Sequence, residues 1–176
     1  MFRMTQVPSK NIVMNRHYVY LISCRGYKTI YVKIGLTSSI QQRLSNIQTG
    51  CPHPITHAFV VLSEYREEVK GLEKLLHTLL KSERLRAEWY EGSLAFFEKL
   101  GTVLSRVNSG GFSYEELWDM PDFVGPEFEI MMHRHNFKFL QVAVPIRKGV
   151  DSFENAQHIS PAQIAEVLLR EPSTLK

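Results

Sequence analysis

The chain has only two cysteines, Cys24 and Cys51. That is too few for a disulfide framework, and neither has a Cys-x-x-Cys neighbour, which argues against a secreted scaffold and against a zinc ribbon. No apolar run approaches the roughly 18 residues needed to span a bilayer, and Met1 to Arg16 lacks the apolar centre of a signal peptide. Internal repeats and low-complexity tracts are missing, and prolines and glycines are few. The expectation is therefore a soluble, cytoplasmic protein with no membrane partner and one main core, which 176 residues are long enough to bury.

The most informative absence concerns charge. From Met1 to Ser63 there is no Asp or Glu against seven Lys or Arg, whereas residues 101–176 carry seven basic and ten acidic side chains. A positive field confined to one half of the molecule would draw a polyanion to that half. A modest basic bias also occurs in proteins without such a partner.

That basic half contains the stretch around which the rest is organised, residues 17–48. Tyr18-Val-Tyr-Leu-Ile22 alternates, a turn falls near Arg25-Gly26, and Thr29-Ile-Tyr-Val-Lys-Ile34 returns, which predicts a hairpin. Ser38 with Gln41 three residues later predicts the start of a helix, and Gly50 its stop. Ile40, Leu44 and Ile47 form its apolar stripe, with Arg43 at the edge. Period-2 alternation puts Tyr18 and Tyr20 on one face of the first strand, and Tyr31 and Lys33 on one face of the second. If these faces meet Arg43, phenols and cations converge on a surface suited to a phosphate diester. The same residues also read as ordinary strand tyrosines and solvated cations.

Further along, Cys51-Pro-His-Pro54 reads as a loop, Ile55–Leu62 as a third strand and Arg66–Leu80 as a helix with a broad leucine face. Glu73 lies at the border of that face, shielded enough to want a partner, either Arg43 or a divalent metal, with His77 one turn later beside it. Residues 92–107 predict a third helix, weakened by Gly101, with Trp89 as a core anchor. Asn108-Ser-Gly-Gly111 marks a boundary. Beyond it, Tyr114–Trp118 reads as a short helix, Glu127–Met132 as helix or strand, and His133 and His135 as a metal pair or a solvated turn. Phe137–Ile146 reads as a strand, and a helix opens with Ser160 as cap and Pro161 first.

The order of these pieces resembles the GIY-YIG nuclease superfamily. Tyr18-Val-Tyr20 stands at its first signature and Lys33-Ile-Gly35 at its second, and Arg43 lies eight residues beyond Gly35. The chain is more narrowly similar to a phage and mobile-element branch with a Lys-Ile-Gly signature. Lys33-Ile-Gly-Leu-Thr37, Arg43-Leu44, Gln48-Thr-Gly50, Leu72-Glu73-Lys-Leu-Leu-His77 and Glu88-Trp-Tyr90 follow that pattern in order. The resemblance implies one divalent ion, Mg²⁺ or Mn²⁺, held by Glu73. It also implies that Arg43 clamps the scissile phosphate and that Tyr20 is the surviving catalytic phenol. Lys33 stands where the superfamily usually has a second tyrosine, and the late asparagine of many members is not visible.

Taken together, the sequence predicts an α/β (α+β) fold with a small, mainly antiparallel three-stranded sheet packed by helices. An arm covers residues 1–16, the GIY-YIG-like domain 17–107, and an extension 108–176. The expected activity is divalent-metal-dependent cleavage of DNA, with RNA as the lesser alternative. The rival reading is an inactive module of the same fold that grips nucleic acid or a host protein. The candidate residues are Tyr20, Lys33, Arg43 and Glu73, supported by Tyr18, Tyr31, His77 and Glu88, with Lys28 joining Lys33 and Arg43 in binding nucleic acid. Oligomeric state is left open.

Overall fold

In the computed structural model the described residues are 17–109, 112, 116, 135, 137–142, 144 and 156–170. The arm at 1–16, the ambiguous segment 127–132 and His133 lie outside them, as does the expected helix at 114–118 apart from Glu116.

The hairpin forms as expected but is longer. β1 (Tyr18–Arg25) and β2 (Ile30–Thr37) pair antiparallel along their whole length, with Tyr20 opposite Gly35, Ile22 opposite Lys33 and Cys24 opposite Tyr31. α1 (Ile40–Gly50) follows after a single-residue shift of the expected cap. Ser39, not Ser38, accepts the Gln42 amide, while the Thr37 hydroxyl holds the turn by donating to the Ser39 carbonyl. β3 (Ile55–Leu62) pairs with the other edge of β1. α2 (Arg66–Leu79) has Glu67 and Glu68 in its first turn, where the helix dipole favours them.

A 3₁₀ turn (Lys81–Glu83) leads into β4 (Arg84–Arg86) and β5 (Trp89–Glu91), and β5 adds to the outer edge of β2. α3 (Leu94–Ser109) runs unbroken through Gly101. β6 (Lys138–Val142) pairs with β3, β7 (Gln157–His158) pairs with β6, and α4 (Pro161–Leu169) follows behind a capping box of Ser160 and Gln163.

The sheet is antiparallel throughout, in the order β4-β5-β2-β1-β3-β6-β7. Among the described residues it has seven strands, not the expected three. β4, β5 and β7 are two or three residues long, too short to show alternation. β6 reaches the sheet from beyond the 108–111 boundary, so the extension shares the main core.

Two layers of helix cover this sheet. Val19, Leu21, Val32, Ile34, Phe59 and Val61 face α2, α3 and α4, whereas Tyr18, Tyr20, Ile22, Ala58, Val60 and Leu62 face α1 through Ile40, Leu44 and Ile47. β1 is thus buried on both faces, the condition that makes a strand read as continuously apolar. The expected anchor Trp89 is only half-buried; its neighbour Tyr90, pointing to the opposite face, is fully enclosed. The two cysteines, distant in sequence, meet as free thiols with Sγ atoms 3.5 Å apart. Burial and the neighbouring thiol push Cys24 up to about 12, so it stays neutral.

Candidate active site

α1 and α2 pack on opposite faces of the sheet, so Arg43 and Glu73 can approach each other only past its edge. Strand register creates that opportunity. β5 pairs with β2 only over Tyr31–Lys33, so the outer edge of β2 at Gly35 has no strand beside it among the described residues. Gly35 also lies directly opposite Tyr20, and a Cβ there would collide with the Tyr20 hydroxyl and come within 2.7 Å of its Cζ. Without a side chain at 35, the phenol lies across β2 and reaches the open edge.

The group it meets is Glu88, in the turn between β4 and β5. Tyr20 donates to Glu88 Oε2 at 3.4 Å, and Lys33 Nζ lies 3.2 Å from the same oxygen while packing 5.3 Å from the centre of the Trp89 ring. The turn is fixed by its backbone, because the Glu88 carbonyl accepts the Ile34 amide at 3.1 Å. Ala87 adopts a left-handed φ of 50° to make this possible, a conformation that costs an L-residue about 1–2 kcal/mol. Arg43, from the edge of the α1 stripe, stacks its guanidinium 5.7 Å from the Tyr20 ring centre.

α2 supplies the other half. Glu73 and His77 are one turn apart, and His77 Nε2 lies 3.0 Å from Glu73 Oε1. On its far side His77 Nδ1 meets the Tyr90 hydroxyl and lies 3.2 Å from Arg84 Nη2. The imidazole thus turns Nε2 toward Glu73 and Nδ1 toward Tyr90 and Arg84, and ties α2 to the β4–β5 hairpin. Ligand atoms of Glu73, His77 and Glu88 all fall within 4.8 Å of one another. Glu88 has the most exposed side chain of the three at 43%, against 22% for Glu73 and 15% for His77, so the cluster opens to solvent on the Glu88 side.

Electrostatics sort the roles. Burial, followed by the Glu88 carboxylate, pushes the Tyr20 phenol far above its ordinary value, and Arg43 offsets only part of this. Tyr20 is therefore a neutral hydrogen-bond donor rather than a phenolate at physiological pH. Burial raises Tyr90 as well, with Arg84 opposing.

Six of the residues expected from sequence thus come together: Tyr20, Lys33, Arg43, Glu73, His77 and Glu88. Three do not join them. Tyr18 is buried against the α1 layer opposite Thr37. Tyr31 stacks on His53, with ring centres 6.1 Å apart, toward the hairpin turn. Lys28 is exposed in that turn beside Tyr27. His57 lies half-buried against Phe59, its pKa lowered by burial, and buried His135 pairs with Glu68 at 3.0 Å instead of forming a solvated turn. The sequence reading missed Tyr90, Arg84 and the spatial role of Gly35. Gly35 stood in plain view as a signature residue, but its reason, room for a phenol from the facing strand, needs the register. Arg84 carried no signal at all.

The donor set fits a divalent cation. Two carboxylates this close repel each other, and one imidazole beside two hard oxygen donors suits Mn²⁺ as readily as Mg²⁺. Among the described residues no helix is long and apolar enough to cross a membrane. No curated protein and no solved structure matches the chain. The family model of the T5orf172 domain does match, over residues 17–108. This domain is found in endonuclease-like proteins of phages and mobile elements and suggests a nuclease-like or DNA-binding module. The matched segment runs from the residue before β1 to the last turn of α3, contains all six clustered residues and is 92 of 176 residues, so the chain belongs to the T5orf172 domain family.

Proposed function

We propose that the chain is a divalent-metal-dependent endonuclease that hydrolyses phosphodiester bonds in duplex DNA with GIY-YIG-type chemistry. The observation that carries this reading is the meeting of a phenol, a guanidinium, an ammonium and two carboxylates from five different elements at one open sheet edge. Glu73 and Glu88, with His77, would hold the ion. When bound, such an ion supplies Lewis-acid polarisation of a phosphate oxygen. Arg43 offers a planar fork to two oxygens of the scissile phosphate. Lys33 pairs with Glu88 in the resting protein and offers a second cation to the phosphate. Tyr20, held protonated, is suited to orient an attacking water or to donate a hydrogen bond to the reacting phosphate. His77 sets the direction of Glu73 through the Tyr90–His77–Glu73 chain.

The same protonated phenol favours a second reading, a module that grips DNA without cutting it, because a buried tyrosine beside a carboxylate is a poor base. Incubating supercoiled plasmid with Mg²⁺ or Mn²⁺ separates the two. We expect nicked product from the native chain and a loss of at least about 100-fold in Glu73→Ala and Arg43→Ala, the scale of one removed electrostatic stabiliser. Salt-sensitive binding with no nicking under either ion would leave the binding module. Cleavage that survives both substitutions would remove this site from the chemistry.

A further inference from the structure

A second basic feature adjoins the cluster and is not used by the reading above. A cavity of about 450 Å³ opens between the start of α1 and the start of α2. Its walls include Arg43 and Asn46 of α1, Arg66 and Lys70 of α2, and Ser38 and Ser39 from the loop before α1, and no acidic residue lines it. Arg66 and Lys70 are four positions apart, so they share one face of α2, and like charges at that spacing work against the helix. An anion between them would relieve the repulsion. The acids of the same turn are directed elsewhere: Glu68 is engaged by Ser63 and by His135, and Glu67 does not reach the walls. The size is that of a ligand site, about 300–1,000 Å³, but apart from Leu36 cations, hydroxyls, amides and His17 replace the apolar lining of a small-molecule pocket.

Arg43 belongs to both places: it lines the cavity and stacks on Tyr20. We propose that this cavity is a second phosphate subsite, holding through Arg66 and Lys70 a backbone phosphate near the one gripped at Arg43, in the same duplex DNA. The inference rests on the DNA-cleaving reading and adds the direction in which the strand leaves the cluster, toward the start of α2. Each strand of a duplex carries a phosphate for every 3.4 Å or so of helix axis, which makes successive contacts on adjoining basic surfaces the natural mode of binding. The ligand chemistry is shared with free phosphate and free nucleotides, so the test must tell them apart.

Binding of a fluorescently labelled duplex is followed by anisotropy in the full chain carrying Glu73→Gln, without metal, from about 50 to 200 mM salt. Adding Arg66→Ala and Lys70→Ala is expected to weaken binding and to flatten the plot of log affinity against log salt by about one unit for each cation removed. Arg66→Lys with Lys70→Arg keeps the charge and should restore the slope, which a merely misfolded variant would not allow. An unchanged slope in the alanine variant, with Glu73→Gln still binding the duplex, overturns the subsite alone. Failure of Glu73→Gln itself to bind the duplex overturns the cleavage reading and the subsite together. Binding of inorganic phosphate or a mononucleotide that depends on Arg66 and Lys70, with the duplex slope unmoved, assigns the cavity to a free anion and overturns the proposal.

Discussion

Gly35 shows how one missing side chain can decide a site. Its neighbour across the ladder, Tyr20, is 1% exposed, and its ring and hydroxyl lie against the position a Cβ at residue 35 would occupy. Gly35→Ala must therefore push the ring back into the α1 layer, where Ile40 and Leu44 are already packed. Overpacking of this kind costs about 1–3 kcal/mol. We expect Gly35→Ala to lower the melting temperature and also to abolish plasmid nicking, because the phenol loses Glu88. Gly35→Ala combined with Tyr20→Phe should recover less than half of the stability, since the ring carbons clash as well as the hydroxyl. Full recovery in the double variant would mean that the hydroxyl alone fills the space. Alternation placed Tyr20 and Lys33 on strand faces and the resemblance made them candidates, but alternation gives faces and not ladder partners. That is why the glycine's purpose was illegible.

At the scale of elements, the long ones were legible and the short ones were not. β3 and α2 start where the apolar run and the leucine face place them, because each buries five or more residues. β4 and β5 are held by backbone pairing and by one buried side chain, Tyr90, and carry no periodic signal. Yet this small hairpin delivers Glu88. The device that ties it to α2 is His77, whose two ring nitrogens contact Glu73 and Tyr90. His77→Ala leaves a buried phenol short of a partner, at a cost of about 1–3 kcal/mol. It should also blunt the response to metal. For the native chain, Mn²⁺ at 100 times its dissociation constant should add about 2.7 kcal/mol to stability. Thermal melts with and without Mn²⁺ read both effects: a lower baseline and a smaller metal-induced rise in His77→Ala. A full Mn²⁺ response in that variant would reduce His77 to a structural tie, with the ion held by carboxylates alone.

On the scale of the whole molecule, the family match ends at residue 108 but the sheet does not. β6 covers the edge of β3, and α4 seats Ile164 and Leu168 in the same core as α2 and α3. The composition break at Asn108-Ser-Gly-Gly111 reads as a domain boundary, whereas long-range strand pairing across it is invisible to any local pattern. A chain ending at residue 108 would keep all six clustered residues and lose the outer partner of β3, β6. Burying each large apolar side chain contributes about 1.5–3 kcal/mol, and Phe139, Leu140, Val142, Ile164 and Leu168 would all be gone. The exposed β3 edge, Phe59-Val-Val-Leu62, would then be a flat apolar template for pairing with another copy. We expect the shortened chain to self-associate in light scattering and to melt without a cooperative transition. A monomer with a native-like melt would show that the first 108 residues carry their own core, and that β6 and α4 serve something other than closure of the sheet.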